Sequence, residues 1–144
     1  MSILRDDRLL ALHDLVEACR DSARHCALAA EMMEDDPRAG KLRDLAERRS
    51  READFFGARM IEEDDIPGGA PEERSLLQAA LAGARSVLVD SGWEALLDDC
   101  RSREQEVMDC AKAAREAPLR DDERKAAGEL ADDAGQQLET LFKY

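Results

Sequence analysis

Residues that favour strands are scarce in this chain. Val, Ile and Thr together supply eight of its 144 positions, too few for a β-sheet architecture. No stretch approaches the roughly 20 apolar residues of a membrane span. No two of the four cysteines, Cys19, Cys26, Cys100 and Cys110, form a CxxC pair, so zinc-ribbon and thioredoxin readings have no support. Basic residues are outnumbered, 21 Lys+Arg against 34 Asp+Glu, for a formal charge of −13. Such a surface repels phosphate backbones and anionic bilayers, so neither nucleic acid nor a membrane is an expected partner. Catalytic signatures are also missing: no Gly-rich phosphate loop, no nucleophile elbow and no Ser–His–Asp arrangement. The first residues, Met1-Ser2-Ile3-Leu4-Arg5-Asp6-Asp7-Arg8, carry charges where a signal peptide needs an apolar core. A cytoplasmic protein with reduced thiols is expected.

What the chain has in quantity is alanine, 24 residues, among Leu, Arg and Glu, and a hydrophobic fraction of 44%. That fraction argues against full disorder, and the composition is that of an all-α protein. Prolines and glycines fall between periodic stretches. Asp36-Pro37, Pro67-Gly68-Gly69-Ala70-Pro71, Asp90-Ser91-Gly92 and Pro118 separate five predicted helices over about 6–34, 37–63, 72–89, 92–117 and 120–143. Tight turns join the first pair and the last pair, which predicts antiparallel neighbours. The expected architecture is one domain over 1–144: a hairpin 6–63, a crossover 64–91 holding the shorter helix, and a hairpin 92–143.

Apolar stripes fit a four-helix bundle. Helix one repeats in steps of four and three through Leu12, Val16, Cys19, Ala23, Cys26, Ala30 and Met33. Helix two offers Leu42, Leu45, Ala46, Ala53, Phe56 and Met60. The 92–117 segment offers Trp93, Leu97, Cys100, Glu104, Val107, Ala111 and Ala114, and the last helix Ala127, Leu130, Ala131, Ala134, Leu138 and Leu141. Trp93, at a helix start, is expected to plug one end of the bundle. The crossover presents Leu77, Ala80, Leu81, Ala84 and Leu88 on one face. A faint likeness of Cys26-Ala27-Leu28-Ala29-Ala30 to Cys110-Ala111-Lys112-Ala113-Ala114 suits either duplicated hairpins or chance in an alanine-rich chain.

The Leu12-His13-Asp14-Leu15-Val16-Glu17 start, the Leu81-Ala82-Gly83-Ala84 crossover, Asp90-Ser91-Gly92, and Leu96-Leu97 with Cys100, Glu104 and Cys110-Ala111 form a pattern. Together with the closing Leu138-Glu139-Thr140-Leu141, it resembles a family of bacterial ferritin-like four-helix proteins of unknown function over about 8–142. The resemblance implies a ferritin-like antiparallel bundle and no established activity. The chain departs from that pattern at Cys26 and Cys110, where tyrosines are often found, and at Ala134-Gly135, where a His is often found.

Ferritin-like di-iron sites draw on carboxylates and ExxH pairs facing inward. No ExxH occurs here, and the only histidines, His13 and His25, are both on helix one. Glu104 is the one carboxylate directly in a stripe. A buried carboxylate calls for a partner, and Arg49, between Leu45 and Ala53, is the expected one. Peripheral placement and metal ligation are the other readings of Glu104. Glu17, Asp21, Glu47, Glu52, Glu129 and Asp133 read as solvated charges, and His25 as a surface imidazole. A crossover spanning the bundle, the preferred arrangement, sets Cys26 level with Cys100; stacked hairpins would set it level with Cys110. Packing is the first reading of these thiols. With Met32, Met33 or His25 they form an alternative site for Cu(I) or zinc, or a redox pair. The expected function is a non-enzymatic binding or scaffold module with no cofactor. The alternative is a metal-binding or thiol stress protein that uses Glu104 or Cys26 and Cys100 with a transition metal ion. A homodimer through Leu76, Leu77 and Leu81 is one expected assembly; packing of these leucines on the bundle is the other.

Overall fold

The computed structural model describes residues 3–62 and 93–143, with side chains over 6–61 and 94–143. Every regular element among them is a helix: α1 Ile3–Met32, α2 Ala39–Glu62, α3 Trp93–Arg115 and α4 Asp121–Glu139. The expected crossover helix over 72–89, its leucines and the side chain of Trp93 lie outside the described residues.

Two boundaries differ from the expected ones for local reasons. Asp36 was expected to cap α2 with Pro37 in its first turn. As expected of a cap, its carboxylate accepts from the Arg38 backbone N–H at 2.8 Å, and it also accepts from the Arg38 guanidinium at 3.0 Å. This Asx-type turn holds 37–38 outside the helix, and the first carbonyl of the ladder is Arg38 O, which accepts from Leu42 N at 2.9 Å. The last helix was expected to reach 143 but ends at Glu139. Phe142 N instead reaches back to Gln137 O at 3.1 Å, and this bend tucks Leu141 and Phe142 into the core.

The helices pack as α1 on α2, α1 on α3 and α3 on α4. Contacts between α1 and α3 run in opposite senses: His25 O meets Cys100 Sγ, and Ser22 meets Glu104. The same holds for α2 and α4, where Arg49 meets Asp133 and Arg59 meets Asp122. Two apolar clusters form. One gathers Leu12, Val16, Phe56, Met60, Val107 and Leu130. The other gathers Cys26, Met33, Leu42, Leu45, Leu97, Cys100 and Phe142. On α1, α2 and α3 the positions between the two clusters carry Ser22, Arg49 and Glu104, and on α4 Asp133 reaches the same level from between Ala131 and Ala134 of the first cluster. A polar layer therefore divides the interior at mid-height, and it is the feature that positions the site.

Candidate functional site

Arg49 sits on the apolar stripe of α2, so burying that stripe buries the guanidinium, which is 0% exposed. Its Nε donates to Glu104 Oε1 at 3.0 Å and its Nη2 to Oε2 at 2.6 Å. This two-pronged geometry matches the planar fork of arginine. Glu104, also 0% exposed, reaches it from α3. The Ser22 hydroxyl on α1 donates to Glu104 Oε1 at 3.1 Å.

Two further carboxylates close on the same cation. Arg49 Nη1 donates to Glu52 Oε1 at 2.6 Å, one turn along α2, and Nη2 donates to Asp133 Oδ2 on α4 at 2.9 Å. Asp133 also accepts from Arg48 Nη2 at 3.2 Å and Gln137 Nε2 at 3.4 Å. Glu52 and Asp133, read from sequence as solvated charges, are therefore members of the buried network. Helical spacing shows only which face a residue takes, not which long side chain on another helix can reach it.

The charges respond to this crowding in different directions. Burial works against the Arg49 cation, but the Glu104 hydrogen bonds outweigh it and hold the guanidinium charged. Burial raises the Glu52 carboxyl above its ordinary range, against the pull of Arg49, and the nearby Asp133 and Glu104 add to the rise. Burial also pushes Asp133 upward, but Arg49 and then Arg48 reverse this and hold it below its ordinary range.

Arg49 and Ser22 together place two donors on Glu104 Oε1 and one on Oε2. Among the described residues no three His, Cys, Asp or Glu side chains come together to hold a metal. The layer opens on its α2–α4 side into a cleft of about 530 Å³ walled by Arg48, Arg51, Glu52, Phe55, Glu129 and Asp133.

The thiols lie in both clusters. Cys19, Cys26 and Cys100 are buried and Cys110 is half-buried, all of them free. Cys100 Sγ donates to His25 O at 3.3 Å, so Cys26 is level with Cys100, not with Cys110. Hydrogen bonding to Cys26 and burial push the Cys100 thiol far up. Burial, with Glu52 adding, does the same to Cys19. His25 is not a surface imidazole: it is four-fifths covered, with Nε2 3.0 Å from Asp99 and Nδ1 2.7 Å from Asp21 O. His13 lies exposed beside Asp14 and Glu17.

A second buried pair was not anticipated from sequence. Arg8 Nε and Nη2 donate to Glu123 at 2.9 and 2.6 Å, and Glu123 Oε1 also accepts from Arg120 N at 3.0 Å. Glu123 thereby supplies the returning half of a capping box; arginine at the cap position has no acceptor for the other half. The signal in sequence was Glu three residues after the helix cap. Its partner on α1 had none.

No protein-family model matches the chain, and no curated protein or solved structure matches it.

Proposed function

We propose that this protein is a non-enzymatic, cytoplasmic, ferritin-like bundle that acts as a binding or scaffold module. The opposite senses of the contacts of α1 with α3 and of α2 with α4 support two antiparallel hairpins joined by a long crossover. The observation that carries the reading is Arg49. Its guanidinium is shared among Glu104, Glu52 and Asp133, so the polar residues at mid-height are engaged with one another across three helices.

The cleft between α2 and α4 is the face such a module would use. Phe55 is half-buried there under the Arg59 guanidinium, 5.0 Å from its ring centre, and Arg51 and Glu129 offer both signs of charge at its rim. Aromatic and arginine side chains of this kind anchor protein interfaces.

Elemental analysis of freshly purified protein tests the central claim. Iron, manganese and zinc are expected well below one per chain. Stoichiometric metal that is lost in Glu104→Gln would overturn the reading in favour of a carboxylate metal centre. The assembly proposed with it is a homodimer, checked by light scattering; a 16.0 kDa particle at every concentration removes the dimer.

A further inference from the structure

Cys26 and Cys100 come from different helices and meet in an apolar part of the core, 0% and 1% exposed. Cys100 Sγ lies 3.3 Å from the carbonyl of His25, the residue before Cys26, and both cysteines belong to one apolar cluster. Met33 belongs to the same cluster, and Met32 packs against it. Four sulfur-bearing side chains thus share this part of the core. We propose that Cys26 and Cys100 form a two-thiolate site for a soft monovalent metal ion of the Cu(I) class.

The donor set selects this ion. Thiolate and thioether sulfur favour Cu(I), whereas a hard divalent ion prefers oxygen. Structural zinc takes four ligands in a tetrahedron, and among the described residues not even three His, Cys, Asp or Glu converge. Cu(I) is satisfied by two sulfurs in line. The site is also one residue from solvent. His25 and Asp99, immediately before the two cysteines, pair at 3.0 Å on the partly exposed rim.

The binding step balances without electron transfer. Each thiol releases its S–H proton to solvent and two S–Cu bonds form. Copper stays in the +1 state, and the site gains one net negative charge. The Ser22 hydroxyl, 3.9 Å from Cys26 Sγ, gives its one proton to Glu104 and accepts from the Cys26 thiol, a contact that is given up when copper binds.

The test uses the full, reduced chain without oxygen, titrated against Cu(I) held by bicinchoninate. Wild type is expected to withdraw one Cu(I) per chain and to gain near-ultraviolet thiolate-to-copper absorption. Cys26→Ala and Cys100→Ala should each abolish this, while Cys19→Ala and Cys110→Ala keep it. Helix content by circular dichroism shows which variants fold. Independently of any variant, copper loading should protect two thiols from alkylation, mapped to Cys26 and Cys100. No withdrawal by wild type, undiminished withdrawal by the Cys26→Ala/Cys100→Ala double variant, or protection mapped to other cysteines would overturn the proposal. Equal retention of Zn(II) would overturn the assignment to a soft monovalent ion.

Discussion

Arg49 donates four hydrogen bonds to three carboxylates drawn from α2, α3 and α4. Removing one partner of such a buried pair leaves a charge with neither water nor a counter-ion, at a cost of about 3–5 kcal/mol. Arg49→Ala is expected to lose that much in urea denaturation because it strands Glu104. Arg49→Met/Glu104→Met should recover most of it, since an apolar pair of similar volume carries no desolvation penalty. A double variant as unstable as Arg49→Ala would show that the cation is needed for more than neutralising Glu104. Acid titrates the carboxylates of the two ion-pair networks in two directions. Asp133 and Glu123 sit below their ordinary ranges, so the unfolded chain holds their protons more tightly. Their stabilisation is complete above roughly pH 4 and is lost as the pH falls through and below the ordinary carboxylate range. Glu52, raised by burial, binds its proton more tightly when folded and opposes that loss. Urea midpoints between pH 3 and 7 should therefore fall with acid, less steeply in Glu123→Gln and more steeply in Glu52→Gln. A flatter acid limb in Glu52→Gln would contradict the upward shift.

At the scale of the helix, the seams read from sequence are the buried faces. Leu12, Val16, Cys19, Cys26, Ala30 and Met33 of α1 are all covered, as are Leu97 through Ala114 of the α3 stripe. Apolar periodicity reports burial on one element directly. It fails where the repeat drifts: Ala23 was assigned to the seam, but Ser22 is the residue at 0% exposure, because a straight helix slips against a strict seven-residue repeat. Arg49 and Glu104 were legible because each breaks an apolar stripe. Glu52, Asp133 and Arg8 were not, because they lie at the edge of a stripe, where Glu52 and Arg8 reach inward along long side chains and Asp133 is met by the long arm of Arg49. The interior of α4 also holds two glycines without positive φ. A Cβ on Gly135 would meet Met108 Sδ at 3.5 Å, and one on Gly128 would meet Arg115 Nε at 3.9 Å, both ordinary contacts. Alanine there restricts the unfolded chain and suits a helix, so Gly128→Ala and Gly135→Ala should each add about 0.5–1 kcal/mol. Thermal denaturation checks this. A lower midpoint for Gly135→Ala would mean that Met108 cannot yield and that close approach of α3 and α4 requires the glycine.

Across the whole molecule the formal charge is −13, and two electrostatic terms compete. Self-repulsion among surplus carboxylates favours the expanded chain and is long-ranged, so salt weakens it. Ion pairs favour the folded chain, and salt weakens them too when they are exposed. The sign of the salt effect depends on where the pairs lie. The bidentate ones, Arg49–Glu104 and Arg8–Glu123, are buried, and buried pairs are screened little. Those at the surface, such as Arg124–Asp121 at 3.7 Å and Arg103–Asp99 at 3.7 Å, are each worth under about 1 kcal/mol. At 1 M salt the screening length shrinks to about 3 Å, which removes the repulsion while sparing the interior pairs. Raising NaCl from 20 mM to 1 M should therefore raise the thermal midpoint, and the rise should persist in Asp122→Asn, which weakens a surface pair with Arg59. A midpoint that falls with NaCl would place the decisive charge pairs at the surface and reverse the ranking of buried over exposed pairs.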